Sequence, residues 1–101
     1  MELTIGWHDF NGPVPYHKIP QKPGLAAVIC RVEVGKLELL DIFEGENLRD
    51  TVHHHPRQEC HKSNCDNDPE YFLYLTDQSS DIRRGIGRDI RQQYEDIPCG
   101  E

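Results

Sequence analysis

The chain has no apolar run longer than Leu25-Ala26-Ala27-Val28-Ile29-Cys30. A bilayer span needs roughly 20 such residues, so no helix of this sequence crosses a membrane. Positive charge is also scarce, with 11 Lys and Arg against 18 Asp and Glu and a net charge of −7. A partner with a phosphate backbone calls for a basic face, and that balance disfavours one. Internal repeats and low-complexity tracts are missing, which excludes a solenoid. Met1–Phe10 mixes Glu2, His8 and Asp9 with apolar residues and has no secretory-signal pattern, so a cytoplasmic home is the expectation. In that compartment the 4 cysteines are expected as free thiols or metal ligands rather than disulfides.

What is present fits one small domain. At 101 residues there is room for a single core. With 36% apolar and 29% charged residues the chain is polar, yet well short of the disordered range.

Residues 1–22 read as an extended N-terminal arm. Leu3, Ile5 and Trp7 alternate, which suits a short strand or an extended segment laid over the core, and then Gly12, Pro13, Pro15, Pro20 and Pro23 argue against regular structure. Residues 23–101 carry the domain. Leu25–Val34 is apolar on both faces over its first half, as a central strand requires. Val34-Gly35-Lys36 turns the chain into a second strand, Leu37–Phe43, with Leu37, Leu39 and Phe43 expected on one face and Leu40 and Ile42 on the other. Asn47 caps a short helix that Pro56 ends. Arg57–Asp68 is a polar insert. Tyr71–Thr76 is a third strand, and Ile82, Ile86, Ile90 and Tyr94 mark the stripe of a last helix that contains Gly85 and Gly87. The pattern predicts an α+β fold: a three-stranded antiparallel sheet with helices packed on its faces, in the order β-β-α-insert-β-α.

Four arginines, Arg83, Arg84, Arg88 and Arg91, fall on that last helix. Two readings apply. They contact phosphate, or they form a solvated face paired with Asp81, Asp89 and Glu95; the net charge favours the second.

Pro23-Gly24-Leu25, the stretch Asp41-Ile42-Phe43-Glu44-Gly45-Glu46-Asn47-Leu48-Arg49, His55, the Tyr71–Asp77 strand and the Pro98-Cys99-Gly100 ending follow one another as in GIY-YIG nucleases, and the chain resembles that family over Pro23–Glu101. The family's chemistry uses two tyrosines, an arginine, a metal-binding glutamate and usually an asparagine. At the tyrosine positions this chain has Ala26 and Asp41, at the arginine Thr51, at the glutamate Gly87, and near the asparagine Cys99 or Gly100. A carboxylate-held metal and an arginine stabilise developing charge in phosphoryl transfer, so the resemblance implies a module without catalytic residues. A protein partner is then expected, with nucleic acid disfavoured. The alternative within the same resemblance is a divergent, Mg-dependent DNA endonuclease.

A third reading comes from the Cys/His content. His55, Cys60, Cys65 and Cys99 supply the ligand types of a structural zinc site, although Cys-x4-Cys is outside the usual knuckle spacing. Three consecutive histidines, His53–His55, point about 100° apart on a helix and cannot share one ion. Cys60 beside His61 also has the composition, though not the spatial logic, of an activated thiol.

Overall fold

A computed structural model describes residues 1–94 and 96–100. In chain order its elements are β1 (Glu2–Ile5), β2 (His8–Val14), a 3-10 turn (Tyr16–Lys18), β3 (Gly24–Glu33), β4 (Lys36–Gly45), α1 (Leu48–His53), α2 (Gln58–Ser63), β5 (Glu70–Leu75) and α3 (Ser80–Gln93). All strand pairs are antiparallel, and the sheet order is β1-β2-β5-β3-β4.

The expected three-stranded sheet with helices on its faces is therefore corrected to a five-stranded sheet that curls into an open half-barrel. The two additional strands come from the segment read as an extended arm, 1–22. Proline did not prevent them because Pro13 sits where the β2–β5 register shifts, between the Asn11↔Leu73 and Val14↔Tyr71 pairs. At such an irregularity a missing N–H removes no rung of the ladder. Gly12 lets β2 approach, since a Cβ there would lie 2.7 Å from the Tyr71 carbonyl oxygen. Gly6 and Trp7, both at positive φ (56° and 70°), form the hairpin turn between β1 and β2. Curling brings opposite sheet edges round one helix end: Leu3 and Ile5 of β1 and Leu37 and Leu39 of β4 line a common cleft with Tyr94.

β3 is an interior strand between β5 and β4, as its two-sided apolar run requires, and residues from Leu25 to Cys30 are at most 3% exposed. Its alternate side chains feed two cores. Leu25, Ala27 and Ile29 pack with Phe10, Ile42, Phe72 and the α3 residue Ile90. Ala26, Val28 and Cys30 pack with Leu40, Phe43, Leu73, Ile19 and the α1 residues Leu48 and Val52.

β4 departs from simple alternation. Val28 pairs with Asp41 and Ile29 with Leu39, so Leu40 is an extra residue, a bulge. Beyond the bulge the faces exchange. Phe43 joins Leu40 rather than Leu37 and Leu39, and Ile42 joins the latter pair's side. The same bulge delivers Asp41 to the face that carries α1 and α2. Polar groups on the outer edge of β4 are satisfied by their surroundings: the Leu40 carbonyl accepts from Cys99 N (2.9 Å), the Ile42 amide donates to Asp41 Oδ1 (2.8 Å), and the Ile42 carbonyl accepts from Arg91 (3.3 Å). An edge so occupied offers little to a second strand.

Ser79 caps α3, its hydroxyl accepting from Ile82 N. The buried positions of α3 are Arg83, Gly87 and Ile90, whereas Ile82 is 49% and Tyr94 37% exposed. The expected isoleucine stripe is thus rotated toward Arg83. That guanidinium is buried because β4 ends in acids: Nε reaches Glu44 (2.9 Å), Nη2 reaches Glu46 (2.8 Å), and Nη1 donates to the Gln78 carbonyl (2.6 Å). Arg83 is therefore not part of a solvated face. Arg84 does pair with Asp81 at the surface (3.0 Å), while Glu95 lies outside the described residues.

Gly85 has no such role, since a Cβ there would meet only Arg88 Nη2 at 3.8 Å. Gly85→Ala should raise stability by about 0.5–1 kcal/mol, because alanine narrows the unfolded chain's freedom and suits a helix interior. Urea denaturation checks this, and a lower midpoint would contradict a regular helix at that position.

Candidate functional site

Asp41 lies in Leu39-Leu40-Asp41-Ile42-Phe43, an acid inside an apolar strand run, and is fully buried. A buried carboxylate is costly unless its oxygens are occupied. Here Oδ2 accepts from Arg57 Nε (3.0 Å) and lies 2.8 Å from His61 Nε2. Oδ1 accepts from Arg57 Nη2 (3.3 Å) and from the Ile42 amide (2.8 Å). Burial would raise its pKa, but the hydrogen bonds and charges of His61 and Arg57 more than offset that and hold the carboxyl below its ordinary value. Asp41 is ionised at neutral pH.

His55 completes the cluster. Its ring lies 4.0 Å from Phe43 and 5.4 Å from His61, and its Nδ1 accepts from the Arg57 amide (3.1 Å). Burial, then the positive charge of Arg57, lowers its pKa from 6.5 to about 4. At neutral pH it is uncharged, with its proton on Nε2. Arg57 thus engages Asp41 through the guanidinium and His55 through the main chain.

α2 supplies His61, and two disulfides hold α2 in place. Cys30 on β3 bonds Cys65 just beyond α2, with Cα atoms 5.6 Å apart; Cys60 within α2 bonds Cys99 near the C-terminus at 5.8 Å. This corrects the expectation of free thiols. Partners 35 and 39 residues apart are brought together by the sheet, which short-range spacing cannot reveal. By the chain-entropy account each closed loop stabilises the fold by about 3–4 kcal/mol.

The zinc set of His55, Cys60, Cys65 and Cys99 is corrected with it, because all three thiols are consumed in bridges. Cys60 is not a nucleophile for the same reason. The three histidines diverge as expected: His53 stacks on Tyr16 (4.2 Å) and bonds its carbonyl, His54 is exposed, and only His55 faces the cluster.

Positions singled out by the family resemblance are dispersed. Ala26 belongs to one core, whereas Gly87 lies against Leu25 of the other, across the sheet. Thr51 on α1 donates its hydroxyl to the Asn47 carbonyl (2.9 Å). Asp41 alone joins a polar cluster. The Asp41–His61 contact was missed by sequence reasoning, although an acid within an apolar strand was a usable signal.

Beside the cluster is a cleft of 590 Å³, within the range of small-ligand sites. Pro13, Pro15, Tyr16 and Tyr71 form walls, and Gln58, His61 and Lys62 line the α2 side. The two tyrosine rings are 6.0 Å apart. Tyr71 has a raised pKa through burial and the neighbouring Tyr16, so its hydroxyl remains protonated. Although His61 is only 2% exposed, its Nδ1 has no hydrogen-bond partner.

No family model, curated protein or solved structure matches this chain.

The depressed His55 pKa fixes the sign of a pH effect. Between pH 6.5 and about 4 the unfolded chain binds a proton that the folded one refuses, so stability present above 6.5 is lost as pH falls through that window. The loss attributable to His55 should be about 1–2 kcal/mol after allowance for its partial exposure. Asp41 adds a further loss as pH falls below 3.8 toward its lowered value. Denaturant melts of wild type and His55→Asn across pH 4–7 check this; equal slopes would contradict it.

Proposed function

We propose that this chain is a disulfide-braced binding domain that receives an extended segment of a partner protein in the Tyr16–Tyr71 cleft, with the Asp41–His61 pair as the polar anchor. The unpartnered Nδ1 of His61 carries the reading. His61 meets the Asp41 carboxylate through Nε2, which leaves Nδ1 as the ring nitrogen that a partner's polar group would satisfy. A buried polar atom without a partner costs about 1–3 kcal/mol, and a complementary polar group of the partner recovers it. Proline walls and tyrosine rings lose little conformational entropy on binding, which suits them to an apolar or aromatic side chain.

This reading keeps the expected non-catalytic, protein-binding role but not the three-stranded fold that the resemblance implied. What supports it over the endonuclease alternative is that Ala26 and Gly87 provide no ligand or charge and lie on different faces of the sheet. We also place the protein in an oxidising compartment rather than the cytoplasm, since two disulfides support the fold.

The test is a ¹H–¹⁵N titration of the oxidised protein with capped pentapeptides of proline and tyrosine. Shifts should concentrate in residues 13–16, 58–62 and 69–71, and Tyr71→Ala should weaken binding at least about tenfold (about 1.4 kcal/mol). Shifts centred elsewhere, or equal binding by Tyr71→Ala, would contradict the proposal.

A further inference from the structure

We propose that Asp41, His55 and His61 form a guarded site for a borderline transition cation such as Zn²⁺, Co²⁺ or Cu²⁺, with the Arg57 guanidinium as its internal counter-cation. One donor atom from each of the three residues lies within 4.8 Å of the others. Two imidazoles and one carboxylate suit borderline divalent ions rather than Mg²⁺ or Ca²⁺, which prefer oxygen. Bonds of about 2.0–2.2 Å require only that these donors draw in round the ion.

Arg57 opposes this in a defined way. Its guanidinium occupies both Asp41 oxygens and places a unit charge where the ion would sit. Its amide also occupies His55 Nδ1. The side chain is 29% exposed whereas Asp41 is fully buried, so the guanidinium closes the cluster on its solvent side. Metal entry exchanges one cation for another at the same carboxylate. His61 enters the cluster through Nε2, 2.8 Å from Asp41 Oδ2, on a ring only 2% exposed, so the two donors that an ion would share are already held side by side.

Co²⁺ titration of the oxidised protein, followed by visible absorption and Zn²⁺ competition, tests the inference. Wild type should bind one ion weakly, Arg57→Gln at least about tenfold more tightly, and the double variant Arg57→Gln, His55→Ala should lose the spectrum. A His53→Ala, His54→Ala variant should bind as wild type does. Near-UV circular dichroism establishes that each variant is folded. Unchanged affinity in a folded Arg57→Gln, or a spectrum that survives loss of His55, would overturn the proposal. Wild type alone gives an independent arm that needs no variant. Substoichiometric Cu²⁺ should broaden resonances of Asp41, His55 and His61 first, and broadening confined to His53 and His54 would overturn the proposal equally.

Discussion

Two disulfides hold a six-residue helix that has almost no apolar surface of its own, and the site depends on that constraint. Only His61 is buried in α2 (Gln-Glu-Cys-His-Lys-Ser). A helix this short is unstable in isolation, and tertiary contacts must supply what propensity does not. The Cys60–Cys99 and Cys30–Cys65 bridges, one within α2 and one just after it, replace the missing hydrophobic face. They fix His61 against Asp41 and Phe43 and, with that, one side of the cleft.

The sheet supplies the other half. Because Leu40 bulges, Asp41 turns onto the α1–α2 face and its carboxylate can meet Arg57 and His61. Asp41 then has two structural tasks, since Oδ1 also takes the Ile42 amide on the outer edge of β4. A second buried charge, Arg83, gathers Glu44 and Glu46 at the end of the same strand. β4 therefore has an ionic centre near its middle and another at its end, each joining it to a helix. Buried ionic groups of this kind are weak sources of net stability, but breaking them by removal of one partner is costly.

Much of the fold was legible where periodicity is strong. The two-sided run Leu25–Cys30 announced an interior strand, Gly35 its hairpin, Asn47 the start of α1, and the residues after Ser79 a long helix. Four features were not. Pro13 hid β2, because a proline at a register shift resembles a proline in a loop. Leu40 hid the bulge, since one extra residue reverses every facing that follows it. Arg83 occupies a position where the isoleucine spacing pointed elsewhere, and only the acids of β4 explain its burial. The cysteine pairing depended on contacts 35 and 39 residues apart, and an expected reducing compartment weighed against it. At the site, His55 and the cysteines drew notice as zinc ligands, whereas the partnership of Asp41 with His61 joins two elements 20 residues apart and has no local signature.

The most direct test of this account is peptide mapping of the native protein by mass spectrometry under non-reducing conditions, after alkylation of any free thiol. The account requires two cross-linked products, one joining the peptides of Cys30 and Cys65 and the other those of Cys60 and Cys99. Four alkylated cysteines, or any other pairing, would remove the support on which α2, His61 and the cleft depend.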